Sequence, residues 1–391
     1  MSQRHLAITC LSMATDTPAG EHAQRLASGM FDRGWRVSVL CAYVGEHDLD
    51  ERIAIIDAGM GPPRSAVGIA HFRYWHERQR ASIKPDRTLS LTTLVPAGVV
   101  LPLSGTAEAR RTAIRQIDAP LPVRAGAWAR SLLPGSLAGI LAERRSLTNP
   151  ITRFTAAASP VIESQLVAQA RADRDRVVRV DPPVIVEPLA VGERDALRAQ
   201  LSRGLGLRRE SQWLVFPFRA GRSAGTEAML LGFRDLIDRG GDAVLLIAGP
   251  LRYTHLAWIA ELGLRDRVRV VGVLDHPAEL FAAADLVVQP AAYDPGGWAV
   301  RLATAVSTPA ITTTVSGAAD RVRESGGAVI ELPVDPSALA DAMRALLGTS
   351  TDAPRLPTPA TTPDASDASP EAAYLDDIAA LLDDAAPFSS P

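Results

Sequence analysis

Two α/β domains, each a doubly wound, Rossmann-like parallel sheet and the pair facing a cleft between them, are what this sequence predicts. Three observations predict them. Strand-like apolar runs alternate with helix-like amphipathic runs through both halves of the chain. The stretch DPPVIVEPLAVG at 181–192 separates the halves, and its three prolines disfavour helix and stiffen an extended connection. At 391 residues the chain exceeds what one hydrophobic core comfortably organises.

The first half opens on a predicted strand, His5–Met13. Glu21–Arg33 predicts a helix with Ala23, Leu26, Ala27 and Met30 on one face. Gly34 stops it, and Arg36–Val44 returns as a strand, giving a β-α-β opening. A helix near Ser65–Arg80 leads into the strand Arg87–Thr92. Phe154–Ala158 predicts another strand, followed by Ser159 and Pro160, residue types that open a helix.

The second half alternates more clearly. Trp213–Phe218 predicts a strand, and Thr226–Arg239 a helix ended by Gly240-Gly241. Ala243–Ala248 (strand), His255–Leu262 (helix), Val268–Val273 (strand) and Pro277–Ala284 (helix) follow. Asp285–Pro290 is a strand, Asp294–Gly297 a turn, Trp298–Val306 a helix and Ala310–Thr314 a strand. Ala328–Glu331 and Pro336–Leu347 close the domain as strand and helix. The predicted organisation is a domain at 1–180, a junction at 181–192 and a second domain at 193–348. A disordered linker rich in Thr, Pro, Ala, Asp and Ser spans 349–370. An amphipathic helix at 371–385 follows, with Tyr374, Leu375, Ile378, Leu381 and Leu382 in one stripe. That stripe fits either a docking helix for the first domain or a partner, or a frayed acidic tail.

Composition excludes several classes. A net charge of −3 gives no general reason for nucleic-acid binding. Cys10 and Cys41 lie in apolar runs and read as buried thiols of a reducing compartment. No Cys/His cluster has metal-ligand spacing. The N-terminus lacks the pattern of a signal peptide, and no apolar run reaches the roughly 18 residues of a membrane span. The expected location is cytoplasmic, with the inner membrane face as a peripheral option.

The segment with chemical potential is Asp294-Pro-Gly-Gly-Trp298, between an apolar strand and a helix. A helix N-terminus offers unpaired N–H groups and partial positive charge, which suits a diphosphate. Gly296 and Gly297 remove side chains where a phosphate must approach, and Asp294 can accept hydrogen bonds from sugar hydroxyls. Taken alone, the segment equally fits an ordinary glycine turn.

The surrounding run AAADLVVQPAAYDPGGWAVRLATAVSTPAITTTVSGAAD resembles the most characteristic segment of glycosyltransferase family four, retaining, nucleotide-sugar-dependent enzymes of GT-B fold. Asp294 matches the family's acid after the strand, Gly297 its helix-opening glycine and Pro309 its later proline. Ser316-Gly317 and Asp320 match a later glycine pair and acid, with one glycine replaced. LASGMFDRGWRVSVL and AERRSLTNPITRFTAAASPVIESQL resemble first-domain segments. PLSGTAEARR (102–111) resembles a G-T-x-x-E-x-x-R-like loop found in relatives of the lipopolysaccharide-core glucosyltransferase branch, the branch this chain is most similar to.

The resemblance implies a first, acceptor-side domain and a second domain that binds a nucleoside-diphosphate sugar, without metal or other cofactor. It implies diphosphate neutralisation by Arg219 and Arg222 and sugar reading by Asp294. It implies donor contacts at Gly225, Gly272, Val273, Leu274, Gly296, Gly297, Trp298 and the Leu302 position, and acceptor-side contacts at Gly20, Gly105, Thr106 and Glu108. Three positions depart from the family. Leu302 replaces a ribose-binding glutamate and cannot accept a hydroxyl hydrogen bond. Ala224 replaces a lysine beside Arg219. Thr17-Pro18 replaces a glycine pair, and Pro18 has no N–H. Losing one cation near the leaving diphosphate typically costs a few kcal/mol of transition-state stabilisation.

Other residues carry two readings. The stretch Arg110–Arg153, rich in arginine and leucine and free of lysine, fits either a surface for anionic lipid or a lipid-linked acceptor, or a solvated helix pair. Glu108 fits either an acceptor-positioning carboxylate or a salt bridge to Arg111. His22, His71, His76 and His255 lack a visible acid partner and read as structural. The sequence therefore predicts a glycosyltransferase acting on a glycan or lipid-linked acceptor, with peripheral membrane contact and no nucleic acid. The alternative is a catalytically impaired relative that binds a glycan or partner enzyme. A dinucleotide-dependent oxidoreductase is disfavoured because no G-x-G-x-x-G follows a first strand in either half.

Overall fold

The computed structural model describes residues 3–14, 18–116, 129, 132–186, 192–208, 210–218, 225–251, 253–274, 276–349 and 369–385. The chain divides into two compact units, one of Met1–Pro183 with Asp367–Pro391, the other of Val184–Ser366.

The first unit is a seven-stranded parallel sheet: β1 (His5–Cys10), β2 (Arg36–Cys41), β3 (Ala54–Asp57), β4 (Arg87–Ser90), β5 (Val99–Val100), β6 (Phe154–Ala157) and β7 (Val177–Arg179). Their order is β3-β2-β1-β4-β5-β6-β7, with Leu6 opposite Val37 and Ile8 opposite Val39. Its helices are α1 (Pro18–Asp32), α2 (Ala66–Ile83), α3 (Ala107–Gln116), α4 (Pro134–Leu147) and α5 (Pro160–Ala168). The predicted face of α1 is buried at Ala23, Leu26, Ala27 and Met30. Ser159 caps α5 by accepting from the Ile162 N–H at 3.1 Å, ahead of Pro160 in the first turn.

Several predicted bounds shift. β1 stops at Cys10 rather than Met13, because the chain leaves the ladder there and Met13 keeps only an isolated bridge to Val44. α1 starts three residues before Glu21. Strands β3, β5 and β7 had no expectation; each has four residues or fewer, and pairing defines them rather than any apolar run.

The second unit is a six-stranded parallel sheet: β8 (Gln212–Pro217), β9 (Ala243–Ala248), β10 (Val268–Gly272), β11 (Leu286–Val288), β12 (Ala310–Thr313) and β13 (Ala328–Ile330), ordered β10-β9-β8-β11-β12-β13. Its helices are α6 (Glu193–Leu205), α7 (Thr226–Asp238), α8 (Tyr253–Glu261), α9 (Pro277–Ala283), α10 (Trp298–Ala305), α11 (Ala319–Glu324) and α12 (Pro336–Thr349). Along β8, Leu214 and Phe216 enter one core while Trp213 and Val215 enter another on the opposite face. Both faces are covered, which is why these strands read as continuous apolar runs.

Helix α6 had no expectation, because only Leu197, Leu201 and Leu205 of its polar sequence pack inward. It is held by Arg198, whose guanidinium bonds Asp285 at 2.9 Å and the Ser211 and Ala283 carbonyls at 2.6 Å, and lies 4.4 Å from the Trp213 ring.

The terminal helix α13 (Pro370–Asp384) packs on α1 and β4 of the first unit. Its stripe is buried at Tyr374, Leu375, Ile378 and Leu382. Around it, His22 Nε2 meets the Tyr374 hydroxyl at 2.7 Å, Arg33 pairs with Asp376 at 2.7 Å and Arg25 with Glu371 at 3.2 Å. Gly29 lets the helices pack closely there, since a Cβ would press on the end of the Leu375 side chain.

Candidate functional site

In a doubly wound sheet, ligands bind beyond the carboxyl ends of the strands where strand order reverses. In the second unit that point lies between β8 and β11. The loop after β8 ends at Gly225, the one after β11 runs through Gln289 to Gly297, and each leads into a helix, α7 or α10.

Backbone geometry builds this end. Gly225 has φ +79°, and a Cβ there would collide with the Pro290 carbonyl, so the two loops meet backbone to backbone. Gly297 has φ +61°, and a Cβ there would press on Ala318 and Ser316. The Asp294 carbonyl accepts from the Gly297 N–H at 3.2 Å and the Gly317 N–H at 3.0 Å, and Asp294 bridges to Ser316 as a short parallel pair. Asp294 is buried. The Trp298 indole folds back over Gly296, and the buried Arg301 guanidinium lies 5.0 Å from the ring centroid.

Asp294, Gly296, Gly297, Trp298 and Gly225 are thus gathered at one switch point. Gly272, Val273 and Leu274 follow the edge strand β10; Gly272 has φ +83°, Val273 is exposed, and Leu274 packs against an apolar cluster. Leu302 is partly buried against that same cluster. Asp320 pairs with Arg323 on the surface at 2.7 Å. Arg219, Arg222 and Ala224 lie outside the described residues.

The first unit has its own switch point, between β1 and β4. Pro18 begins α1 and Gly20 is buried in its first turn; residues 15–17 lie outside the described residues. Gly105 has φ +71° and leads into α3. Thr106 is fully buried: its N–H donates to Gln165 Oε1 at 3.2 Å, and its hydroxyl accepts from the Ala109 N–H at 3.2 Å, so it caps α3. Glu108 takes a bidentate pair with Arg144 of α4, at 2.7 and 2.8 Å. This corrects the expected bridge to Arg111; the partner comes from a neighbouring helix, which helical spacing does not reveal.

Sequence reasoning missed Glu143, which lies within the arginine-rich stretch Arg110–Arg153. It is fully buried, and its Oε2 accepts from the Thr93 hydroxyl and the Ala107 N–H, both at 2.8 Å. Burial pushes its pKa up, opposed by the Ala107 and Thr93 hydrogen bonds.

His76 and the two thiols sit in the core of the first unit. His76 is buried with Nε2 3.0 Å from the Thr9 hydroxyl, and burial first, then Arg80, lowers its pKa to about 4. Cys10 and Cys41 are free, buried in-register neighbours on β1 and β2. Burial raises both thiols, Cys41 to about 12, so neither is a ready nucleophile. Among the described residues, no group of three His, Cys, Asp or Glu is placed to hold a metal, and no helix is long and apolar enough to cross a membrane.

The two parallel-sheet α/β units match the fold of GT-B glycosyltransferase structures. The lipopolysaccharide glycosyltransferase WaaG superposes with a TM-score of 0.75 at 17% identity, covering 97% of this chain and 95% of that one. Anabaena HepE, solved with UDP and glucose, superposes with a TM-score of 0.62 at 14% identity, covering 97% and 95%. Residues 198–356, most of the second unit, match the family model Glycosyl transferases group 1. Among curated relatives, D-inositol 3-phosphate glycosyltransferase 2 of Catenulispora acidiphila is 29% identical over 47% of this chain and 45% of its own length. Alpha-D-kanosaminyltransferase of Streptomyces kanamyceticus is 27% identical over 39% and 40%. The chain thus aligns with less than half the length of these curated relatives.

Proposed function

We propose that this protein transfers a sugar, with retention and without a metal, from a nucleoside-diphosphate sugar to a hydroxyl of a glycan or lipid-linked acceptor. The carrying observation is the backbone-built switch point of the second unit, where Gly225 lies against Pro290 and Gly297 opens α10. Two helix starts flank this glycine-lined end, and their N–H groups suit a diphosphate.

In the reaction, the bond between the anomeric carbon and the diphosphate oxygen breaks, and the acceptor oxygen bonds that carbon on the same face. The departing diphosphate oxygen keeps the electron pair of the broken bond and takes up the acceptor hydroxyl proton, so the products are the glycoside and the nucleoside diphosphate. Arg219 and Arg222 neutralise the charge on the diphosphate, the Gly296–Gly297 amides cap it, and Asp294 accepts from sugar hydroxyls. Gly272, Val273 and Leu274 line the nucleobase side. On the acceptor side, Gly20 and Gly105 supply close backbone approach, while Thr106 and Glu108 shape the loop rather than touch the acceptor. A second reading, an impaired relative that binds glycan or a partner enzyme, draws on Leu302 packing into the apolar cluster.

Peripheral membrane contact belongs to the same proposal. Its basis is Leu133, Leu137 and Leu141 exposed in and just before α4, with Val67 and Tyr74 exposed on α2, near arginines that favour anionic lipid.

The test is calorimetric binding of uridine, guanosine, adenosine and thymidine diphosphates, followed by transfer assays with the matching sugars and D-inositol 3-phosphate among the acceptors. Absence of both nucleotide binding at millimolar concentration and turnover overturns the proposal. Leu302→Glu combined with Ala224→Lys separates the two readings. A large gain in turnover identifies an impaired site; a wild type already active and little changed identifies a working enzyme.

A further inference from the structure

At the carboxyl end of the first sheet, two loops are tied together by a side chain that never reaches solvent. The loop after β4 contains Thr93. The loop after β5 runs through Gly105 and Thr106 into α3. Glu143 projects from α4, and a single carboxyl oxygen accepts from both sides, from the Thr93 hydroxyl and from the Ala107 N–H. The adjacent Arg144 holds the same helical turn through the Glu108 carboxylate. Gln165 of α5 holds the residue before it, through the Thr106 N–H. Three side chains from two helices thus hold three consecutive residues, 106–108, and Glu143 joins them to the switch-point loop.

A carboxyl at zero exposure is costly to keep. Its desolvation outweighs the hydrogen bonds it receives, as its raised pKa records. Groups that burden folding in this way concentrate at functional sites, where geometry matters more than stability. A leucine or glutamine of similar size would fill the space more cheaply. What the carboxyl supplies over an apolar side chain is an oxygen that accepts from a hydroxyl and from a helix N-terminus together. The face held in place presents Ser104 and Arg110 to solvent, a hydroxyl and a cation beside the loop after β4.

We propose that Glu143 is a positioning residue for the acceptor side of the transfer, locking the loop after β4 to the start of α3 so that acceptor is met by a preformed surface. This rests on the glycosyl-transfer reading. The anchoring itself is read without turnover.

The experiment compares wild type, Glu143→Ala, Glu143→Gln and Thr93→Val. Amide hydrogen exchange across 91–98 and 105–110 is expected to quicken about tenfold or more in Glu143→Ala, while β1 and β2 keep their protection. Glu143→Gln, which retains an acceptor oxygen, is expected to restore most of it. Thr93→Val is expected to loosen 91–98 alone, and it carries the test should Glu143→Ala fail to fold. In transfer assays with D-inositol 3-phosphate as probe acceptor, the KM for acceptor is expected to rise about tenfold in Glu143→Ala. The dissociation constant for the nucleoside diphosphate is expected to stay unchanged. Wild-type exchange rates in these loops, or equal losses in donor and acceptor affinity, overturn the proposal. If the wild-type protein binds no nucleotide, the transfer reading falls, and the exchange data still decide whether Glu143 is the anchor.

Discussion

The two sheets solve the same problem with different materials. At the switch point of the second unit, the close contacts are made by backbone: Gly225 against Pro290, Gly297 against Ala318, and the Asp294 carbonyl accepting from two N–H groups. At the carboxyl end of the first, they are made by side chains: the buried pairs Glu143 with Thr93 and Gln165 with Thr106, and the half-buried pair Arg144 with Glu108. A backbone-built end tolerates most side-chain changes except those that add a Cβ. A side-chain-built end responds to single-atom changes and to pH. The difference teaches where each unit is vulnerable.

The largest effect is expected at the backbone end. Gly225→Val both forces an L side chain into φ +79° and drives its Cβ into the Pro290 carbonyl. A destabilisation of about 3 kcal/mol or more is expected, with loss of nucleotide binding, read by denaturant titration and calorimetry. Retained binding with wild-type stability would show that the two loops do not need their close approach.

Arg198→Ala tests the opposite end of the same sheet. It removes the guanidinium from the largely buried Asp285 carboxylate, which keeps the Trp213 N–H, and it removes two carbonyl contacts. The expected cost is about 3 kcal/mol of stability, with nucleotide affinity unchanged at temperatures where the protein is folded. Equal loss of affinity would mean that the site depends on the whole sheet rather than on its two loops.

Gly29→Val drives a side chain into Leu375 and is expected to displace α13, at a cost of about 2 kcal/mol. Faster proteolysis of the 369–385 segment is the readout. An undisturbed helix would show that its ion pairs, rather than its apolar stripe, hold it.

The smallest effect separates the two ends by pH. Because burial raises the Glu143 pKa, the folded state holds that proton more tightly than the unfolded state. The stability it contributes is present below the unfolded-state pKa and is lost as pH rises through the folded-state pKa. Glu143→Gln does not titrate. Its Tm relative to wild type is therefore expected to be higher at pH 7 than at pH 4. A difference between the two proteins that does not change with pH would show that folding does not raise the Glu143 pKa.

Legibility in the sequence followed contact range. Ser159-Pro160 announced a helix start because the cap bond spans three residues. The stripe on α1 announced its buried face because helical period alone decides it. Strand β5, two residues long, carried no such signal and exists through its pairing with β4 and β6. Glu108 looked suited to Arg111 by spacing, yet its partner stands 36 positions away. Glu143 looked like one acid diluted among arginines, and only its placement over α3 gives it a role.

The sequence by itself determined the alternation of strands and helices, the two-unit plan and the glycine positions where backbone must turn or approach closely. Those properties depend on residues near in the chain and on side-chain period. Tertiary structure alone decided strand order, the packing of α13 onto α1, and which buried carboxyl serves which loop. Those depend on chain segments brought together only when the core closes, where desolvation and hydrogen-bond partners are set by neighbours that sequence spacing does not encode.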